Sequence, residues 1–226
     1  MLSTSADEPL VFILNGDRCT RNWVEATVTS AGLRALSFDT REELLPHIRV
    51  GTVACAVLDV SLPDGSGFEL QSDLAQVCIS TVFLTRERCI ASCVRAVRAG
   101  AVDVLTMPCS AVALIRALRD GLRQSSISGV QKAHIDGLRA KYTRLTGRER
   151  QVFALVARGL RNKQIAYELN ISQITVQIHR GNVMKKMAAR SFASLVRMAD
   201  VLQPGEVAAW RTSLGELHPL DRSLCQ

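Results

Sequence analysis

The chain has 226 residues, 47% hydrophobic and 22% charged, with a net charge of +7. That length suits two modest domains with separate cores, and no apolar run approaches the ~20 residues of a membrane-spanning helix. The acidic start MLSTSADEP is unlike a secretory signal, so a cytoplasmic protein without membrane partners is expected. The charge is uneven: residues 1 to 125 hold 12 arginines, no lysine and 14 acids, a net of −2, so the remaining 101 residues carry +9. The seven cysteines, Cys19, Cys55, Cys78, Cys89, Cys93, Cys109 and Cys225, form no C-x-x-C pair and no zinc spacing. They read as free thiols, with Cys89 and Cys93 one helical turn apart as a conceivable redox pair.

From Leu10 short apolar runs alternate with amphipathic stretches. VFIL is followed by a helix near Cys19–Ala31, a short strand around Ala35–Phe38 and a helical stretch over Arg41–Ile48. VACAVL, a helix near Gly67–Leu74, STVFL, a helix through Cys89–Arg98, VDVLT and a helix from Ser110 to about Arg123 complete the series. Five repeats of strand then helix predict a doubly wound α/β domain, with a five-stranded parallel sheet covered on both faces. A site in such a sheet lies beyond the carboxyl ends of the strands, where the sequence places Asn15-Gly16-Asp17, Asp59, Thr85 and Met107-Pro108.

After Arg123, QSSISG is a hinge candidate, and VQKAHIDGLRAKY resumes helical spacing, so the linker is expected to extend a helix rather than form a loose tether, although Gly129 and Gly137 weaken that helix. Thr146-Gly147-Arg148-Glu149 is a capping box opening a scaffold helix, which Gly159 closes. NKQIAYELNISQITVQIHRGNVMKKM, from Asn162 to Met187, reads as two short helices joined by a tight turn, with Asn170 left-handed and Ser172 capping the second helix. Val176, Val183 and Met187 share the core-facing stripe of that helix, and Ile174, Gln177, Ile178, Gly181 and Lys185 the opposite face. An amide, exposed isoleucines, a glycine gap and a cation suit the floor of a DNA major groove, and the segment lies in the basic half. Ser191 to Leu202 supplies the fourth helix of this all-α domain, and Pro204-Gly205 ends it. The expected division is 1–123 α/β domain, 124–142 helical linker, 143–203 helix-turn-helix domain and 204–226 tail, whose Trp210 belongs to no motif.

Leu145 to Leu202, with TGRERQVFALVARGLRNKQIA and ISQITVQIHRGNVMKKM, resembles the LuxR-type helix-turn-helix of NarL/FixJ-family response regulators. The resemblance makes the second helix the recognition helix, with Gln177, Ile178 and Gly181 facing bases. Thr175, His179, Arg180, Asn162 and Lys163 then hold phosphates or the helix's orientation. On its own residues His179 reads as a structural hydrogen-bonder rather than a metal ligand. Leu10 to Arg123, with LDVSLPDGSGFEL and AGAVDVLTMP, resembles a receiver domain with its phosphoacceptor position at Asp59.

The departures from the receiver pattern are specific. Where the family has two carboxylates that hold Mg²⁺, this chain has Asn15 and Gly16; a one-residue shift would bring in Asp17, but Arg21 favours the unshifted register. Met107 stands at the family's lysine and Val104 at its switch aromatic, leaving Asp59 and Thr85. Without the second carboxylate and the lysine, the approach of a phosphate to Asp59 is poorly offset, so weak or absent Mg²⁺ binding, and no other cofactor, is expected.

The favoured function is therefore a sequence-specific regulator of transcription that binds duplex DNA and controls assembly through an atypical receiver, a pseudo-receiver. The resemblance implies a homodimer on DNA, with contacts on the helix Cys89–Arg98, the strand Val102–Thr106 and the helix from Ser110; there Arg95, Arg98 and Arg116 are candidates to pair with Asp103 and Asp120. One alternative keeps phosphorylation of Asp59 by a sensor kinase or an unusual donor, and another makes the receiver half a protein-interaction module. An enzyme is not expected: no phosphate-binding glycine loop, no nucleophile with a partnering base and no metal cluster occurs.

Overall fold

The computed structural model describes residues 8–62, 65–86 and 90–202. These fall into two compact units that divide between Ala133 and His134.

The first unit holds β1 (Leu10–Leu14), α1 (Arg18–Ser30), β2 (Arg34–Phe38), α2 (Arg41–Leu44), β3 (Ala54–Asp59), two short strands β4 (Ser61–Leu62) and β5 (Gly65–Ser66), α3 (Gly67–Gln76), β6 (Ser80–Thr85), α4 (Ile90–Arg98) and β7 (Asp103–Thr106). The main sheet has the order β2-β1-β3-β6-β7 and is parallel throughout. β1 is apolar at every position because both sheet faces are covered. Val11, Ile13, Cys55, Val57, Val82 and Leu84 pack with Val24 and Val28 of α1 on one face. Phe12, Leu14, Ala56, Leu58 and Phe83 pack with Leu44, Leu70, Leu74 and Ala96 on the other.

The register fixes the site. Leu14 pairs with Leu58 and Asp59 with Leu84, so Asn15, Asp59 and Thr85 emerge together at the carboxyl edge. Gly67 is required close by, since a Cβ there would lie 2.2 Å from the backbone oxygen of Asp59.

Two elements depart from the predicted spans. The stretch Arg41–Ile48 is an α-helix only to Leu44, followed by a 3₁₀ turn over Leu45–His47, because Pro46 has no N–H to continue the helix. The helix expected over Ser110 to about Arg123 and the helical linker expected after it are one helix, α5, Ala111–Thr143, with no break at the hinge candidate. Ser125 explains part of this: its hydroxyl donates to the Cys78 carbonyl at 2.7 Å and accepts from the Ala54 amide at 3.2 Å. Near the same helix-to-sheet contact a Cβ on Gly121 would lie 2.5 Å from Cys55 Sγ.

The second unit continues with α6 (Gly147–Ala157), α7 (Asn162–Leu169), α8 (Gln173–Met187) and α9 (Phe192–Leu202) around a core that includes Val152, Phe153, Ile165, Leu169, Val176, Val183, Met187 and Leu195. Thr146 and Glu149 form the capping box of α6. The tail from residue 203, including Trp210, lies outside the described residues, as do Cys89 and Cys225; Cys19, Cys55, Cys78, Cys93 and Cys109 are free thiols.

Candidate nucleic-acid interface and strand-end pocket

The helix-turn-helix is built by local signals. Asn170 ends α7 at φ 51°, ψ 52°, a left-handed conformation that asparagine tolerates better than most residues. Ile171 follows, and the Ser172 hydroxyl then accepts the Thr175 amide at 3.0 Å to start α8. Val176, Val183 and Met187 are fully buried, whereas Ile174 and Ile178 are 71% and 59% exposed. Gln177, Gly181 and Lys185 share that open face. Large aliphatics left in solvent beside an amide and a cation are what base edges and thymine methyls engage.

The surrounding polar residues divide into two groups. Lys163 is exposed on the first turn of α7. Arg180 and Asn162 are instead joined: Arg180 Nη1 donates to Asn162 Oδ1 at 2.5 Å, tying α8 to the start of α7. The guanidinium also lies 5.3 Å over the ring of Phe192 on α9, a contact that no periodic pattern in the sequence signals. Thr175 shares a 2.9 Å hydroxyl contact with Ser172. His179 is half-buried, with Nδ1 enclosed and without a hydrogen-bond partner, so that nitrogen is not a surface group.

In the first unit one small pocket at the strand ends is lined by Asn15, Thr20, Asp59, Leu84, Thr85, Arg86 and Met107. Asn15 Nδ2 donates to Asp59 Oδ2 at 3.0 Å. Its Oδ1 accepts the Asp17 amide at 2.9 Å, which fixes the orientation of the side-chain amide. Arg21 Nη1 donates to the Asn15 carbonyl at 2.5 Å. Gly16 supplies no side chain, and Asp17, although adjacent in sequence, does not line the pocket. It caps α1 instead, its Oδ2 accepting the Thr20 amide at 3.0 Å and hydroxyl at 2.6 Å, and it pairs with Arg86. Those bonds from the Thr20 hydroxyl and amide, with the charge of Arg86, hold the Asp17 carboxyl below its ordinary range. Val104 is partly buried against the core.

Two segments match known families: residues 11–119 match the response regulator receiver domain, and residues 143–199 the luxR family of bacterial regulatory proteins. The chain is 36% identical over 200 residues to nodulation protein W of Bradyrhizobium diazoefficiens, covering 88% of each. It is 34% identical to the transcriptional regulatory protein FixJ of Rhizobium meliloti, covering 84% of this chain and 94% of that protein. The chain belongs to the NarL/FixJ family of response regulators. Among solved structures, the response regulator StyR superposes with a TM-score of 0.70 at 38% identity, covering 85% of this chain and 98% of that one.

As a NarL/FixJ response regulator it is a transcription factor with a LuxR-type DNA-binding domain and a receiver fold. No helix among the described residues is long and apolar enough to cross a membrane. The donor set at the strand ends does not fit the family's divalent cation. A dication of this kind seeks carboxylate oxygens. Asn15 instead turns an N–H donor toward Asp59, Gly16 offers no carboxylate, and the Asp17 carboxylate is already taken up by Thr20 and Arg86.

Proposed function

We propose that this response regulator binds specific duplex DNA as a homodimer and reaches its active state without Mg²⁺-dependent phosphorylation of Asp59. The observation that carries the reading is the Asn15–Asp59 hydrogen bond, which places a neutral amide where a metal-binding acid is needed. Met107, lining the same pocket, has no charge to pair with a phosphoryl oxygen.

Gln177, Ile178 and Lys185 read bases, with Gly181 admitting the groove floor, and Lys163 holds a phosphate. Arg180, bonded to Asn162, orients the recognition helix as well as facing the backbone, while Thr175 and His179 support the helix start and its packing. One short recognition helix reads few base pairs, which favours two copies on a symmetric site. Ile90, Val94 and Val97 form an exposed apolar stripe at i, i+4, i+7 on α4, the element expected to pair. Arg98 and Arg116 remain candidates for that contact, but Arg95 lies 4.3 Å over Phe68, Asp120 pairs within the chain with Arg123 and Asp103 accepts the Val104 amide.

The deciding experiment is a footprint of genomic fragments with purified, unmodified protein. A discrete protected site with two-fold symmetry is expected. Protection that arises only after treatment with a phosphodonor, or none at all, would overturn the reading in favour of a phosphorylated switch or a protein-interaction module.

A further inference from the structure

We propose that the recognition helix reads thymine 5-methyl groups through Ile174 and Ile178 together, so that each half-site sets A·T pairs against these two side chains. This rests on the reading that α8 enters the major groove, and it adds Ile174 to the residues that face bases. The two isoleucines stand one turn apart on α8, and both are largely exposed. At about 100° per residue, Ile174 lies nearly opposite the buried stripe of Val176, Val183 and Met187. It therefore occupies the middle of the open face, with Gln177, Ile178, Gly181 and Lys185 around it.

Gly181 supports the same placement. A glycine inside a helix costs stability, and a Cβ at this position would meet nothing within 4 Å, so no neighbour in the chain requires its absence. Lying one turn beyond Ile178 and two beyond Ile174, the gap lets the surface of a partner come close to both side chains. Charge decides what that partner is. α8 contains no aspartate or glutamate, Lys185 and Lys186 stand in its last turn, and the chain after residue 125 carries +9. A polyanion fits that surface, and in the major groove of duplex DNA the thymine 5-methyl is the apolar landmark. A stiff, β-branched side chain packs on that methyl, whereas against cytosine it would strip water from the exocyclic amino donor and return no hydrogen bond.

The test uses the full-length protein and the operator recovered by footprinting, made with thymine or with deoxyuridine, which also pairs with adenine and lacks only the 5-methyl group. Wild type should bind the deoxyuridine operator at least about tenfold more weakly, at roughly fourfold for each methyl buried. Both isoleucines are exposed, so alanine at either position leaves the core and the helix intact. Ile174→Ala alone should recover at least about fourfold of that difference. Ile174→Ala/Ile178→Ala should bind the thymine operator at least about tenfold more weakly than wild type does and distinguish the two DNAs by less than a factor of about two. Wild type that binds both operators within a factor of about two would overturn the inference, as would variants that keep the wild-type ratio; specific DNA binding through α8 would stand in either case. A double variant with wild-type affinity for the thymine operator would also overturn it, and would point to a protein partner for the exposed pair. If wild type protects no specific site, the proposed function falls and this inference with it.

Discussion

Lys186 Nζ lies 2.6 Å from Glu149 Oε2, and the same carboxylate oxygen accepts the Thr146 amide at 2.8 Å, so one buried acid both closes the capping box of α6 and holds the end of the recognition helix. The Glu149 side chain is 4% exposed. Burial works to raise its pKa, but the Lys186 hydrogen bond, those of the Thr146 amide and hydroxyl, and the Lys186 charge outweigh it, so the carboxyl titrates below its ordinary range. A depressed acid contributes stability that is complete above its unfolded value, about 4.3, and is lost as pH falls through the folded value. Glu149→Gln should therefore destabilise the helix-turn-helix unit by about 1–3 kcal/mol at neutral pH, with the difference from wild type shrinking at acid pH. Denaturant melts between pH 7 and pH 3, which bracket that reference value, check this; a difference that stays constant with pH would refute the assignment.

Gln177→Ala should cost roughly 1–3 kcal/mol at the preferred DNA site and little on random DNA, whereas Lys163→Ala should weaken binding to every sequence and lower the salt slope by about one unit. Filter binding or fluorescence anisotropy across a salt series separates the two. Equal losses on both DNAs for Gln177→Ala would remove it from the base-reading set.

Arg180 and Asn162 act as a unit if their 2.5 Å bond positions the recognition helix. Alanine at either position should then weaken DNA binding, and the double substitution should cost less than the sum of the singles by about 0.5–1.5 kcal/mol. Phe192→Leu, which removes the ring under the guanidinium, should give a smaller loss of the same kind. Strict additivity would mean that the two side chains meet DNA independently.

The helix-turn-helix was legible because every signal is local: Asn170, Ser172 and the capping box act within four residues, and the buried Val176, Val183 and Met187 follow the helical period. The parallel sheet was legible for a similar reason, since VFIL, VACAVL and STVFL are apolar throughout. The linker was legible as helical, but the absence of any break between it and the helix before it was not. Glycines at 129 and 137 each disfavour a helix by only about 1 kcal/mol, and the compensating bond of Ser125 to Cys78 spans 47 residues. Arg86 was missed for the same reason: an arginine in a loop has no period, and its partner Asp17 lies 69 residues away.

Ala188 ends α8 at φ 54°, ψ 36°, a left-handed conformation in which its Cβ crowds the carbonyl oxygen. Ala188→Gly should relieve this and stabilise the unit by about 0.5–1 kcal/mol, because the left-handed penalty it removes, about 1–2 kcal/mol, exceeds the extra freedom that glycine gives the unfolded chain. A lower melting temperature for the variant would show that the strain is absorbed elsewhere.

Gly121→Ala sets two effects against each other. Alanine favours a helix by about 1 kcal/mol, but its Cβ would lie 2.5 Å from Cys55 Sγ, a fully buried thiol whose pKa burial pushes up to about 12. Overpacking of this kind costs about 1–3 kcal/mol, so a net loss is expected, and Cys55→Ala in the same chain should recover most of it. Recovery without the second change would indicate that α5 simply shifts.

The last expectation concerns Asp59 itself. Phosphorylation needs the incoming phosphate's charge to be offset, and the pocket presents the Asn15 amide and Met107 where the family has an acid for Mg²⁺ and a lysine. Coupling to the distant helix also needs groups that favour one of two states, and Val104, partly buried against the core, stands where the family has the aromatic that would turn with Thr85. Incubation with a small-molecule phosphodonor and Mg²⁺ should therefore leave the intact mass unchanged, and Asp59→Asn should bind the operator within a factor of about two of wild type. The opposite outcome is stoichiometric phosphorylation with a tenfold or larger rise in affinity, about 1.4 kcal/mol of coupling, that disappears in Asp59→Asn. That result would mean that a single carboxylate and the Thr85 hydroxyl suffice to throw the switch.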